Sequence, residues 1–178
     1  MDTANIKDLQ AQLRKDIFEI EVEVLDGGKL PFKKNKTDAG FDLIATKDIK
    51  LYAGQIIKHP LNIKMKLPQG TYAQITSKSG LGSKGLLVYA GIIDEEYRGI
   101  PHVVGTNVNW GSEPFIDEDG EENLAFNPVI APIVINKGEK IAQLIMVPHS
   151  TDYYMTQVES VDTDTARADG GFGSTGKV

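Results

Sequence analysis

From Phe18 onward, apolar residues recur at every second position in short runs, and a turn signal cuts off each run before it grows into a long element. Phe18, Ile20, Val22 and Val24 alternate with Glu19, Glu21 and Glu23. A period of two puts alternate side chains on opposite faces of an extended chain, so this pattern predicts a half-buried strand with one wet face. Runs of similar length fall at Leu61 to Leu67, Thr71 to Thr76, Leu86 to Tyr89, Val129 to Ile135, Ile141 to Val147 and Tyr153 to Val158. Between them stand Asp26-Gly27-Gly28, Pro68-Gln69-Gly70, Asn136-Lys137-Gly138 and Pro148, which are turn chemistry. Ile6, Leu9 and Leu13 fall at helical spacing and predict a short amphipathic helix within an N-terminal extension, residues 1–16. Short strands without a repeated βα unit or an internal repeat predict one all-β domain over residues 1–178, built as an antiparallel sandwich, jelly roll or barrel.

The 178 residues, 40% of them apolar, can bury one substantial core. With no cysteine, disulfides and thiolate metal sites are excluded, and His59, His102 and His149 are too scattered to suggest structural zinc. No apolar run approaches the roughly eighteen residues that span a bilayer, and Met1 to Lys15 is polar rather than signal-like. The expectation is an intracellular, cytoplasmic protein, or one in a host compartment if viral, with no membrane partner. The net charge is −6, and Glu113, Asp117, Glu118, Asp119, Glu121 and Glu122 alone account for it, since the other 19 acidic residues balance the 19 Lys and Arg. Such a charge distribution disfavours direct nucleic-acid binding through a basic surface, while a small phosphorylated ligand stays open. The acidic run lies in Gly105 to Pro128, which lacks steady periodicity and reads as an inserted loop or hairpin excursion. Asp117, Asp119 and Gly120 hint at a calcium loop, but with Gly120 sixth, Phe115 would be first and Phe126 twelfth, so two ligands are missing.

The densest chemistry sits at residues 165–178, where Arg167-Ala168-Asp169-Gly170-Gly171-Phe172-Gly173-Ser174-Thr175-Gly176-Lys177 precedes Val178. Gly170, Gly171, Gly173 and Gly176 leave backbone N–H groups bare to curl around an anion, and Arg167, Ser174, Thr175 and Lys177 add cationic and hydroxyl donors. A P-loop reading fails, because Val178 stands where Ser or Thr should follow Gly-Lys. On composition alone the plainer alternative is a disordered Gly/Ser tail, against which Phe172 and Arg167 weigh.

Four more segments are richer than turns require: Thr37 to Leu43 (TDAGFDL), Ser77 to Gly85 (SKSGLGSKG), Gly91 to Gly99 (GIIDEEYRG) and Lys137 to Leu144 (KGEKIAQL). With the tail they resemble, in order, the five motifs of the trimeric dUTPase family. Each is weak alone, but five in order with compatible spacing are specific, and they cover roughly a quarter of the chain. The interval from Ile100 to Asn136 is longer than in short family members, by about twenty residues. This resemblance implies a jelly-roll subunit, a homotrimer, and three active sites shared between subunits, with the tail closing over the nucleotide. It implies dUTP diphosphatase activity, in which water attacks the α-phosphorus of dUTP to give dUMP and pyrophosphate, assisted by Mg2+.

The resemblance assigns Asp94 as the water-activating carboxylate, on a buried strand end that would hold it partly desolvated. On the residues alone, Asp94 equally well caps the turn before Tyr97. Tyr97 would pack under the deoxyribose, against the plainer alternative of an aromatic in the core. Uracil would be read by the backbone of Val88-Tyr89-Ala90-Gly91, with Gly91 permitting close approach. Lys78, Ser79 and Gly80 would grip the α- and β-phosphates, Lys78 standing where the family usually has Arg and offering a point charge instead of a fork. Gln143 would donate to a phosphate oxygen, and Asp42 would hold Mg2+ through water. In the tail, Phe172 would stack on uracil while Arg167, Gly173, Ser174 and Thr175 hold the γ-phosphate. Ala168 replaces the family's usual Gly.

Two alternatives accompany this reading. The related dCTP deaminases share the fold and a triphosphate, but their Arg-Ser-Ser turn is not evident here. A regulatory, protein-binding module would use the 105–128 insert, where Trp110, Phe115 and Phe126 lie near acidic residues.

Overall fold

The computed structural model describes residues 19–110, 112–126, 132–150, 152–161 and 164. The expected N-terminal helix and the whole of the tail expected to bind phosphate, including Arg167, Phe172, Gly173, Ser174 and Thr175, lie outside the described residues.

Thirteen short strands carry the described chain, with one helical turn among them, α1 (Ser79–Gly82). Every ladder is antiparallel. One sheet runs β2 (Phe41–Ile44), β13 (Lys140–Pro148), β6 (Thr71–Thr76), β8 (Ile92–Ile93); another runs β4 (Ile56–Pro60), β9 (His102–Asn107), β7 (Leu86–Tyr89). Three pairs complete the fold: β1 (Glu21–Val24) with β5 (Ile63–Lys66), β3 (Ile49–Leu51) with β12 (Ile133–Ile135), and β10 (Ser112–Ile116) with β11 (Glu122–Phe126).

Alternation does the work anticipated for it. In β6 Thr71, Ala73 and Ile75 are buried while Tyr72, Gln74 and Thr76 are half-buried, and β9 follows the same rule with Val103, Gly105 and Asn107 inward. Inward side chains from both sheets, Ala73, Ile75 and Leu144 with Leu86 and Val103, join one core cluster that also takes Ile49, Leu51, Ile63, Met65, Ile133, Ile135 and Ile141. Burial on this scale contributes roughly 1.5–3 kcal/mol for each large aliphatic side chain, before the entropy of ordering the chain is subtracted.

Several expectations need correction. The strand expected from Leu61 begins at Ile63, because Asn62 adopts φ 51 and turns the chain out of the extended region. Tyr153 to Val158 forms no strand: Tyr153 and Tyr154 are each 88% exposed, and an alternating segment without a neighbouring edge has nothing to pair with. The insert starts later than 105, since Gly105, Thr106 and Asn107 complete β9 and Asn107 is fully buried, its Nδ2 donating to Leu51 O at 3.0 Å. Beyond it the excursion is a hairpin, with Ser112 opposite Phe126 and Ile116 opposite Glu122. At its tip Asp117 Oδ1 accepts the N–H groups of Asp119 (3.0 Å) and Glu121 (2.9 Å), and Oδ2 accepts from Asn123 Nδ2, so this carboxylate closes the turn. Among the described residues, no helix is long and apolar enough to cross a membrane.

Candidate active site

The four-stranded sheet brings three of the expected site residues into one neighbourhood. Gln143 on β13 lies opposite Asp42 on β2 and opposite Thr76 on β6. Directly opposed residues share a face, so Gln143 and Asp42 look the same way, and β6 delivers Lys78 two residues after Thr76. A cleft of about 300 Å³ is lined by Lys34, Asp38, Gly40, Asp42, Lys78, Lys140 and Gln143. Next to it a larger cleft of about 810 Å³ shares Lys78 and Lys140 and adds Lys29, Phe32, Gly80 and Lys84. This is a cationic trough on an acidic chain, suited to phosphates.

Lys140 is the residue that the sequence reading passed over. In a regular strand, residues three apart face opposite sides, which would send Lys140 away from Gln143. The ladder between β13 and β2 slips between Lys140 and Ala142, and this bulge returns Lys140 to the cleft that Gln143 lines. No sequence signal marks the bulge; that Ile141 and Ala142 are both buried is its structural trace.

Asp42 is the electrostatic centre of the cleft. Lys78 Nζ stands 3.0 Å from its Oδ1 and Lys140 Nζ 2.6 Å from its Oδ2. Burial pushes the carboxyl up, but the hydrogen bonds and charges of Lys140 and Lys78 outweigh it and hold Asp42 below the ordinary carboxylate value. Asp38, the other carboxylate of the cleft, takes the Asn35 N–H at 2.9 Å and Asn35 Nδ2 at 3.1 Å, a local turn that also lowers its pKa.

Ser79 and Gly80 form the first exposed residues of α1, beside Lys78 at its N-cap. The expected phosphate-gripping turn is thus a single turn of helix, closed by Gly82 N–H to Lys78 O (2.7 Å) and Ser83 N–H to Ser79 O (2.9 Å). A Cβ added at Gly80 would meet nothing within 4 Å, so this end is open to a ligand. Ser77, also passed over in the sequence, stitches the loop to β7: its hydroxyl accepts the Val88 N–H at 3.0 Å.

The hairpin from β7 into β8 differs from expectation. The Val88 N–H is taken by Ser77, and the Gly91 carbonyl accepts the Ile75 N–H at 2.8 Å. A Cβ at Gly91 would lie 2.1 Å from Ile75 O, so the close approach that demands glycine is that of the chain's own strand β6. Ala90, between them, sits at φ 52, a left-handed conformation that costs a side-chain-bearing residue roughly 1–2 kcal/mol. Strain of this kind gathers at functional turns.

Asp94 follows β8 but is exposed, not partly desolvated, and Ile92 before it is 68% exposed while Ile93 is buried. Tyr97 is no core aromatic either: it is 44% exposed, and its hydroxyl donates to Ile100 O at 3.2 Å. Ile93 pairs with Ala73, whereas Thr76, beside Gln143, lies at the other end of β6. At about 3.3 Å per residue, the Asp94 end of the sheet is roughly 13 Å along the strand direction from the Gln143 row. Neither cleft around Lys78 includes Asp94, Tyr97, Val88 or Gly91. One copy of the chain therefore holds two separate clusters of expected site residues, a cationic cleft and a carboxylate turn, at opposite ends of one sheet.

Known proteins resemble this chain over most of its length. The dUTPase family model matches residues 26–113 and 112–176. The chain is 35% identical over 165 residues to the Pol polyprotein of Ovine maedi visna related virus (strain South Africa), which covers 93% of this chain and 13% of that polyprotein, so it spans a small part of the viral polyproteins it matches. It is 31% identical over 155 residues to the deoxyuridine 5'-triphosphate nucleotidohydrolase of Paramecium bursaria Chlorella virus 1, covering 86% of this chain and 94% of that one. The dUTPase of Staphylococcus bacteriophage 80alpha, solved with dUPNHPP, superposes with a TM-score of 0.72 at 28% identity, over 89% of this chain and 99% of that one. With its five motifs in order, its all-β fold and a family match running over both the Lys78 cleft and the Asp94 turn, the chain belongs to the dUTPase family.

Proposed function

We propose that the chain hydrolyses dUTP to dUMP and pyrophosphate by attack of water at the α-phosphorus. The observation that carries this reading is the cleft in which Lys78, Lys140 and Gln143 surround Asp42, a set of donors and cations with the reach of a polyphosphate. Lys78 and Gln143 contact phosphate oxygens, and the open end of α1 at Ser79 and Gly80 receives a further one. Asp94 takes the proton from the attacking water, and Tyr97 meets the sugar. Arg167, Phe172, Gly173, Ser174 and Thr175 close over the nucleotide, as the family resemblance implies. Holding water, base and phosphorus in line is where most of the acceleration arises, because there is little covalent work for the protein to do.

Mg2+ fits this cleft only as a passenger of the nucleotide. No group of three or more His, Cys, Asp or Glu side chains that could hold a metal occurs among the described residues, and both oxygens of Asp42 face lysines. An ion that keeps several waters and takes its remaining ligands from phosphates needs one carboxylate, and Asp42 is that residue. Bound there, Mg2+ would neutralise charge developing on the phosphate oxygens.

The two half-sites meet if copies assemble as a homotrimer, the Asp94 turn of one beside the Lys78 cleft of another. Unmatched apolar surface supports this. Ile56 and Leu87, both opposite Thr106 on the sheet of β4, β9 and β7, are 71% and 51% exposed, and Tyr153, Tyr154 and Met155 stand clear of the body. Surface of that kind on a lone chain marks an interface. A further protein partner at the insert would meet the acidic tip of the hairpin, where Glu118, Asp119, Glu121 and Glu122 are exposed.

The test is pyrophosphate release from each deoxynucleoside triphosphate with Mg2+, with an Asp94→Asn variant alongside. Release from dUTP alone, abolished in the variant, is expected; release from no nucleotide would overturn the reading.

A further inference from the structure

We propose that Glu95 is a positioning residue for Asp94, its carboxylate tying the Asp94 turn to the Pro68–Gly70 turn and thereby setting where the base stands. The proposal rests on the dUTPase reading, in which Asp94 activates water.

Nothing else locates that turn so directly. Among the described residues the Asp94 carboxylate receives no hydrogen bond or ion pair of its own. The strand leading to it, β8, has two residues and two ladder partners, Gln74 and Ala73. Past it, Tyr97 N–H donates to Asp94 O at 3.1 Å, and Arg98 Nη1 donates to Glu95 O at 2.6 Å and Tyr97 O at 3.1 Å. Those bonds fold the loop on itself without saying where it sits. Glu95 Oε2 leaves the loop and accepts the Gly70 N–H at 2.7 Å, a short charge-assisted bond across 25 residues of sequence.

Gly70 is suited to the task. Its φ of +72 takes the peptide out of the ladder, so its N–H is presented to Glu95. Its carbonyl accepts the His149 N–H at 2.9 Å, one residue beyond the end of β13. The longest strand of the sheet thus carries Gln143 near one end and, through Gly70 and Glu95, steadies the Asp94 turn at the other. Even where the site forms between copies, each Asp94 is placed by its own chain. Glu96, by contrast, is exposed, so the two adjacent acids differ in role.

Misplacing a reacting group by about 1 Å costs on the order of a hundredfold in rate. Glu95→Ala removes the tether, Glu95→Asp keeps the charge but falls one methylene short, and Glu95→Gln keeps an acceptor oxygen. With dUTP, kcat is expected to fall about ten- to a hundredfold in the Ala and Asp variants, with KM within about twofold, while Gln stays within a few-fold of the unsubstituted chain. Amide hydrogen exchange at Gly70 and through Asp94–Gly99 should quicken in the Ala and Asp variants and not in Gln. An unchanged kcat in Glu95→Ala, a Gln variant as impaired as Ala, or unaltered exchange at Gly70 would each overturn the proposal. If Ala fails to fold, the Asp and Gln pair decides it. Absence of dUTP hydrolysis by the unsubstituted chain would count against the dUTPase reading alone, and exchange would still decide the tether.

Discussion

Acidification from pH 6.5 to pH 4 should cost this fold about 3 kcal/mol through one side chain, His59. The ring is fully buried; its Nε2 accepts the Thr46 N–H at 2.9 Å, and its Nδ1 has no partner. Because Nε2 is an acceptor, the proton of the neutral ring sits on Nδ1. Charging the ring would place a cation in the core and turn the Thr46 bond into a clash of two donors. Burial chiefly, with the charges of Lys47 and His102 adding to it, lowers the pKa from 6.5 to about 4. The unfolded chain therefore binds a proton that the folded chain refuses throughout the interval between those values, so stability is complete above pH 6.5 and is lost as pH falls. One proton corresponds to about 1.4 kcal/mol per pH unit, giving about 2 kcal/mol by pH 5 and about 3 kcal/mol by pH 4. Asp38 and Asp42, both held below 3.8, begin to lose their contributions only near pH 4, at the bottom of this window, and do so alike in the His59→Gln variant. Urea unfolding from pH 4 to 7 at one protein concentration, beside His59→Gln, isolates the effect, since the variant should lack the slope. Equal slopes in both proteins, or an NMR titration placing His59 near 6.5, would refute the reasoning.

Other outcomes follow from the site. Asp42→Asn leaves Lys78 and Lys140 facing each other without a counter-charge and should cost about 1–3 kcal/mol, while Lys140→Met, which leaves the Lys78 pair intact, should cost less; urea midpoints of the two variants give the order. Ala90→Gly relieves the left-handed residue and should gain about 0.5–1 kcal/mol in thermal unfolding. Gly91→Ala drives a methyl against Ile75 O and should cost about 3 kcal/mol or more, with dUTP hydrolysis falling alongside; a stable, active variant would show that the hairpin is not held by that contact.

The elements legible in the sequence were those whose burial is one-sided. Thr71–Thr76 and Leu86–Tyr89 have the bounds that the alternation predicts, and the turn at Asn136–Gly138 is where its residues place it. Phe41–Ile44 was read as a motif and not as a strand, because Asp42, Leu43 and Ile44 are all buried and leave no period of two. Ile92–Ile93 is too short to show a period at all. At the site, the family resemblance pointed to Asp42, Lys78 and Gln143, which the sheet does bring together. Lys140 stayed hidden because its direction depends on a bulge, and the exposure of Asp94 because the two residues of β8 before it are too few to show which side chains are left wet. Tyr153 to Val158 carried an alternating pattern but pairs with no strand among the described residues.

The hairpin of β10 and β11 carries a consequence for the lineage of such chains. Ser112 and Phe126 face each other across its ladder, which brings its two ends within about 5 Å. Its entry is fastened independently, by the buried Asn107 and by Val108 N–H to Gly85 O at 2.8 Å. A segment with adjoining ends and its own anchorage behaves as a cassette: it can be shortened, lengthened or exchanged between genomes while the span left to the rest of the chain stays the same. New recognition properties can then accumulate there without re-optimising the catalytic scaffold beneath.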